Sequence, residues 1–313
     1  VSVAAIVIGR NEGARLIACL NALEVCSPVI YVDSGSTDGS VVAAQTRGAR
    51  VIELDMSLPF TAARARNAGI AALHEDAELV QFLDGDCVMQ EGWLASAQRF
   101  LAAHDDVAVV CGRRREIAPG ASVFNRLIDA EWDTPVGEAR ACGGDALMRV
   151  GALRAVSGYR EDLIAGEEPE LCLRLRQAGW RIWRLDAEMT LHDAKITRLS
   201  QWWQRSKRAG HAFAEGAALH GARPERHWVD ETRRALLWGG AGPLLVVLLT
   251  VLLGPVGLIG ALIYPVQVAR LARRDGLAWG FFTVLGKFAE AHGVSQYYWR
   301  RLTGARKTLI EYK

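Results

Sequence analysis

An α/β fold with a mostly parallel, Rossmann-like sheet and helices on both faces, followed by C-terminal helices at or in a membrane, is what this sequence predicts. Three observations lead there. Over the first 110 residues, short apolar runs alternate with segments of helical period, the pattern of strands joined by crossover helices. One of those runs, Leu79-Val80-Gln81-Phe82-Leu83, closes on Asp84-Gly85-Asp86. Two carboxylates therefore emerge at the carboxyl end of a strand, the edge where open α/β sheets bind their ligands. Finally, residues 236–269 contain no charged side chain and have basic residues on either side, an arrangement that an anionic cytoplasmic leaflet attracts.

In chain order, residues 3–8 form the first expected strand and residues 14–23 a helix. A second strand at 29–32 leads into Asp33-Ser34-Gly35-Ser36-Thr37-Asp38, whose last three residues can cap the next helix. Strand 50–54 precedes a helix at 61–73, strand 79–83 a helix at 92–104, and residues 107–111 make a fifth strand. The helical spacing of Ala95, Ala97, Gln98, Leu101 and Ala102 argues against a hairpin turn at the acidic tripeptide. Residues 112–200 are less regular. They hold a turn at Gly143-Gly144-Asp145, an acidic helix start at Gly166-Glu167-Glu168-Pro169-Glu170 and a short strand at 181–183.

A first domain is expected over residues 1–198. Residues 199–235 follow, with Trp202, Trp203, Arg205, Lys207, Arg208, His211 and Phe213 on one helix. That mixture fits an amphipathic interfacial linker and equally a surface helix packed on its own domain. As one helix the uncharged stretch 236–269 would be roughly 50 Å long, against a hydrocarbon core of about 30 Å. Gly254-Pro255 is a natural break, so a membrane-embedded hairpin with one or both arms re-entrant is expected ahead of full spans. Residues 270–313 complete the chain as a basic, aromatic membrane-interface segment, through 279–285 and Tyr297-Tyr298-Trp299-Arg300-Arg301.

At 313 residues and half apolar, the chain can bury a sizeable core as one large or two ordinary domains. Lys and Arg outnumber Asp and Glu nine to four over residues 195–235 and nine to three over 270–313. Those flanks carry +11, leaving −9 on residues 1–194 of the net +2. A nucleic-acid partner would instead place basic clusters on the first domain, and none is expected. Cysteines 19, 26, 87, 111, 142 and 172 form no CxxC pair or metal-finger spacing and read as reduced core residues. The chain opens directly on an apolar strand with no basic segment or cleavage site, so export is not expected and the first domain should face the cytoplasm.

Acidic residues recur at the ends of the expected strands and at one helix start: Glu12, Asp33, Asp84, Asp86 and the pair Glu167, Glu168. A parallel topology gathers such ends on one sheet edge. Hard divalent cations that bridge phosphate oxygens take oxygen ligands of this kind, which makes a diphosphate the expected cargo.

In this order and spacing, Val7-Ile8-Gly9-Arg10-Asn11-Glu12, Val32-Asp33-Ser34-Gly35-Ser36-Thr37-Asp38, Ala65-Arg66-Asn67-Ala68-Gly69, Phe82-Leu83-Asp84-Gly85-Asp86, Cys142-Gly143-Gly144-Asp145 and Gly166-Glu167-Glu168-Pro169-Glu170 resemble the family-2 glycosyltransferases with the GT-A fold. The resemblance covers about residues 3–192. It implies a metal-dependent, inverting transfer from a nucleotide-sugar with Mg2+ or Mn2+ as cofactor. Glu12 and Asp33 would lie around the base and ribose, Asp84 near the ribose or metal, Asp86 on the metal and Arg66 toward the diphosphate. Asp145 falls on the acceptor side. Glu168 stands where the family places its general base, with Glu167 open as the alternative because the family commonly has Asp there. His192 resembles an additional metal ligand of some members, and a satisfied core histidine is an equal reading.

The Gln-x-x-Arg-Trp element of processive members is absent, Gln204-Arg205-Ser206-Lys207-Arg208 being a distant echo, so a single transfer is expected. A lipid-linked or other membrane-proximal acceptor follows from the membrane segments. Two other readings compete: a nucleotidyltransferase, which would want a lysine in the loop after the first strand where only arginines stand, and a silent membrane scaffold with a nucleotide-binding fold, for which so many clustered like charges would be unfavourable.

Overall fold

The structure, a computed structural model, describes residues 2–304; residues 305–313, the end of the expected basic segment, lie outside them. The chain folds as two compact units. The first comprises the residues up to 121 with 128–163 and 167–195, and the second comprises 122–127, 164–166 and the residues from 196 onward.

Among the described residues of the first unit, one sheet holds nine strands: β1 Val3–Gly9, β2 Val29–Asp33, β3 Arg50–Glu53, β4 Leu79–Asp84, β5 Cys87–Met89, β6 Val107–Glu116, β7 Gly137–Ala139, β8 Ala146–Arg149 and β9 Arg181–His192. β3-β2-β1-β4 are parallel neighbours. Helices α1 Ala14–Asn21, α2 Ser40–Thr46 and α3 Ala62–Ala71 alternate with them. β1 is buried on both faces from Val3 to Ile8, as a central parallel strand must be. Thr61 caps α3 by accepting a hydrogen bond from Arg64 N.

Beyond β4 the sheet is mixed. β8 lies antiparallel between β4 and β6, while β6 and β9 pair in parallel and β5 and β7 pair antiparallel with β9. Asp84-Gly85-Asp86 is followed by a short strand before helix α4 Trp93–Ala103. That strand, β5, pairs with β9 and not with β4, so the tripeptide is no hairpin turn. The expected strands 107–111 and 181–183 are longer than the apolar runs, because the charged residues of β6 and β9 pair with each other at the far end of both strands.

Helices α5 Val123–Glu131, which begins in the second unit and ends in the first, and α6 Val150–Ala155 and α7 Glu167–Gln177 of the first precede those of the second unit: α8 Leu199–His220, α9 Val229–Leu236, α10 Gly242–Leu253, α11 Ile263–Asp275 and α12 Leu277–Thr303. A 3-10 segment, Gly254–Leu262, separates α10 from α11. Of the aromatic residues that suggested an interfacial helix at 199–235, Trp202 is buried, stacked near Phe124 and edge-on to Phe282. His211 is buried as well, against Tyr297.

Candidate active site

The sheet register builds the site. Gly9 lies beside Asp33, and Ile8 beside Asp84, so the ends of β1, β2 and β4 share one edge. Gly85 N donates to Ile8 O at 2.8 Å, which carries the acidic tripeptide on alongside β1. Because β8 runs antiparallel to β4, with Ala146 opposite Phe82, the Gly143-Gly144-Asp145 turn arrives at the same place. Gly144 is needed there: a Cβ would lie 2.6 Å from an Arg66 guanidinium nitrogen and 3.1 Å from Asp84 Oδ2. Pairing of β5 with β9 sets Cys87 opposite His192, and His192 Nε2 lies 3.2 Å from Asp86 Oδ1.

Two arginines organise the acids. Arg66, only 2% exposed, donates through one terminal nitrogen to Asp84 Oδ1 at 2.9 Å. Through the other it meets Glu167 Oε1 at 3.0 Å and Glu168 Oε1 at 2.9 Å. Arg114 lies 3.2 Å from Asp84 Oδ2 and 3.3 Å from Asp145 Oδ2, with its guanidinium over the Trp132 ring at 4.9 Å. Trp132 in turn meets the His192 ring edge-on, at 73° with the centroids 4.8 Å apart. Burial pushes the Asp84 carboxyl up, but Arg66 and then Arg114 outweigh it and hold the group below its usual range.

The acidic pair belongs to α7, where the first turn carries Glu167, Glu168 and Glu170 and the last Arg174 and Arg176, the charge order a helix dipole favours. Pro169 in that turn costs no hydrogen bond. Glu170 is spent on the fold: both its oxygens engage Arg174. Glu168 keeps 15% of its side chain exposed. Burial first, and then the neighbouring Glu167 charge, push its carboxyl up to about 7 against the pull of Arg66.

The remaining expected residues fall in two groups. Glu12 reaches the site, bonded to Arg15 at 2.6 Å, with Arg15 lying 4.0 Å from Asp86. Asp33 shapes its loop: Oδ1 accepts from the Tyr31 hydroxyl and Oδ2 from Gly35 N and Ser36 N. Asn11 ties this loop to that of β1, accepting from Thr37 N and donating its own N–H to Ser36 Oγ. Asp145, expected on the acceptor side, is held by neighbouring groups. It is 1% exposed, and its oxygens take the Thr190 hydroxyl, Asp84 N and Arg114. Arg66 likewise faces three carboxylates in place of open space for a diphosphate. Sequence reasoning missed Arg114 and Trp132. The one signal for Arg114 was the run Arg113-Arg114-Arg115 directly after an apolar strand.

Ligand atoms of Asp86, Cys87 and His192 lie within 4.8 Å of one another, as do those of Asp84, Cys87 and Asp145. Burial pushes the Cys87 thiol up, and a soft sulfur ligand is a poor match for Mn2+ or Mg2+. Asp84 is claimed by two guanidinium groups. Asp86 and His192 are thus the pair that could hold a divalent cation, a carboxylate and an imidazole being suitable ligands for Mn2+ or Mg2+.

Residues 4–154, just under half of the chain, match the family described as Glycosyl transferase family 2. Among curated proteins it is similar to the pre-mycofactocin glycosyltransferase of Mycobacterium tuberculosis, 30% identical over 193 residues, covering 57% of this chain and 38% of that protein. It is also similar to the succinoglycan biosynthesis protein ExoA of Rhizobium meliloti, 26% identical over 215 residues, covering 62% of this chain and 64% of that one. The chain thus spans less than two thirds of the length of these relatives. Among solved structures, the mannosyltransferase PcManGT of Pyrobaculum calidifontis, in complex with GDP-Man and Mn2+, superposes with a TM-score of 0.68 at 19% identity, over 96% of this chain and 87% of that one. Glucosyl-3-phosphoglycerate synthase of Mycobacterium tuberculosis follows at a TM-score of 0.52 and 16% identity, over 71% and 81%. The fold is that of the GT-A glycosyltransferases.

Proposed function

We propose that this chain transfers one sugar from a nucleotide-sugar to a hydroxyl of a membrane-associated, lipid-linked acceptor at the cytoplasmic face, with inversion at the anomeric carbon. The observation that carries the reading is the division of the acid edge into two stations: Asp86 with His192 on one side, and Glu168 held by Arg66 on the other. Asp86 and His192 would hold a divalent cation, which neutralises charge on the departing diphosphate. The Asp33 loop, with Glu12 beside it, receives the nucleoside. Glu168 Oε2 takes the proton of the attacking hydroxyl while Arg66 keeps Oε1 and orients the group. The new carbon–oxygen bond forms as the bond from C1 to the phosphate oxygen breaks, and the nucleoside diphosphate leaves with that electron pair.

PcManGT with GDP-Man and Mn2+ supports a nucleotide-sugar and metal reading for the shared fold. The exposed apolar residues of α10 and the 3-10 segment support a membrane-proximal acceptor. Incubating the full chain with candidate nucleotide-sugars, with Mn2+ or a chelator, tests the chemistry. Mn2+-dependent release of nucleoside diphosphate is expected. Pyrophosphate release would instead indicate nucleotidyl transfer, and no turnover with any donor would leave a scaffold.

A further inference from the structure

We propose that residues 238–264 enter an anionic bilayer as a hairpin that does not cross it and whose two ends leave by the face they entered. The two arms, α10 and the 3-10 segment, double back on each other. A Cβ on Gly257 would strike the backbone at Leu249 and Thr250, and one on Gly260 would meet Val246 at 3.4 Å. Gly254, Gly257 and Gly260 recur every three residues, the period of a 3-10 helix, so one side of that arm is free of side chains. Small residues of this kind let helix backbones close up in lipid, where no hydrophobic force drives them together.

The outer surface is exposed among the described residues. Leu244 is 70% exposed, Val251 76% and Ile259 64%. Exposed apolar residues surround both arms in place of forming one stripe, which is the pattern of a helix solvated by lipid and not of one docked on a second copy. Between Gly242 and Ile263 the single polar side chain is Thr250, and its hydroxyl donates to Val246 O at 2.8 Å. The hairpin therefore brings no side-chain polar group that needs water.

Depth follows from length. The 12 residues of α10 rise about 18 Å at 1.5 Å per residue, against a hydrocarbon core of about 30 Å. The nine residues of the 3-10 arm rise about the same at roughly 2.0 Å each. Neither arm crosses. At the open end, the Tyr264 hydroxyl donates to Trp238 O at 2.8 Å, and Tyr264 packs near Trp238 and Phe288, an aromatic collar of the sort found at headgroup level. Outside the collar stand Arg233 and Arg234 before the hairpin and Arg270, Arg273 and Arg274 after it, all exposed. Cations on both ends complement one anionic surface.

The inference rests on the membrane-proximal half of the proposed function alone, and its test involves no turnover, so failure of insertion and failure of transfer are told apart. Full-length single variants Val256→Cys, Arg233→Cys and Arg273→Cys are reconstituted into vesicles of phosphatidylcholine and phosphatidylglycerol. A membrane-impermeant maleimide is then supplied outside or trapped inside. The six native cysteines are buried, so labelling reports the introduced thiol. Arg233→Cys and Arg273→Cys should be labelled from the same side, and Val256→Cys protected from both. A bimane on Val256→Cys should be quenched by nitroxides deep in the acyl chains. Labelling of Val256→Cys from the far side, or of the two ends from opposite sides, would overturn the re-entrant hairpin. So would a chain that stays off the vesicles as a dimer with Val256→Cys protected.

Discussion

The two units break opposite rules of a water-soluble fold. In the first, ionisable groups go inside: Asp86, Asp145, Glu167 and Arg66 are all buried. In the second, leucines and valines go outside along α10 and the 3-10 segment. Each buried ion costs several kcal/mol unless it is paired, and a wide apolar surface rarely stays in contact with water. The first departure is tolerated because Arg66 and Arg114 each serve several carboxylates at once, while Asp86 pairs with His192. The second has no such compensation among the described residues. One region is thus compensated internally, and the other is not.

The comparison breaks most visibly at Glu168. If it removes the acceptor proton, Glu168→Gln keeps shape and hydrogen bonding yet loses the base, and turnover should fall by roughly 10²–10⁴-fold with donor affinity little changed. Glu167→Gln should cost less, as a loss of positioning. Kinetics at saturating acceptor distinguish them, and a dead Glu167→Gln beside an active Glu168→Gln would move the base by one residue.

Arg66 sharpens the contrast in stability. Arg66→Met leaves Asp84, Glu167 and Glu168 without their shared cation, and removing one partner of a buried ion pair costs about 3–5 kcal/mol. Exposed Arg273 on α11 should behave as a surface residue, with Arg273→Ala within about 0.5 kcal/mol of the parent. Denaturant unfolding of both variants checks this; equal effects would remove the organising role given to Arg66.

A smaller effect should appear with pH. A carboxyl held at about 7 is protonated below that value, so the rate of transfer should fall about tenfold per pH unit on the acid side. The sign for stability is opposite. A raised folded value gives stability that is complete below the ordinary carboxylate range and is lost as pH rises through about 7. Glu168→Gln should flatten both profiles, the second by about 3 kcal/mol at most. A wild-type rate independent of pH between 5 and 8 would contradict the assignment.

The parallel half of the fold was legible because β1, β2 and β4 are continuous apolar runs and each is followed by a helix. β5, β7 and β8 were not, being three or four residues long and defined by partners far away in sequence. The acids were legible as strand-end residues. Their division of labour was not: nothing local shows that Asp145 is consumed by Thr190 and Arg114, or that Arg66 spans Asp84 and the α7 pair. Those assignments depend on β8 arriving antiparallel beside β4, which only tertiary structure supplies. The uncharged stretch was legible in composition, and its glycine seam became meaningful once the two arms were seen to face each other.

The most direct measurement is calorimetric titration of GDP and UDP into the full chain, with Mn2+ and with EDTA, for the parent, Asp86→Asn and Glu168→Gln. Binding of at least one nucleotide should require Mn2+ in the parent, disappear in Asp86→Asn and persist in Glu168→Gln, because the first variant removes a ligand and the second only a base. Equal affinity in EDTA and Mn2+, or unimpaired Mn2+-dependent binding by Asp86→Asn, would contradict the account at its centre.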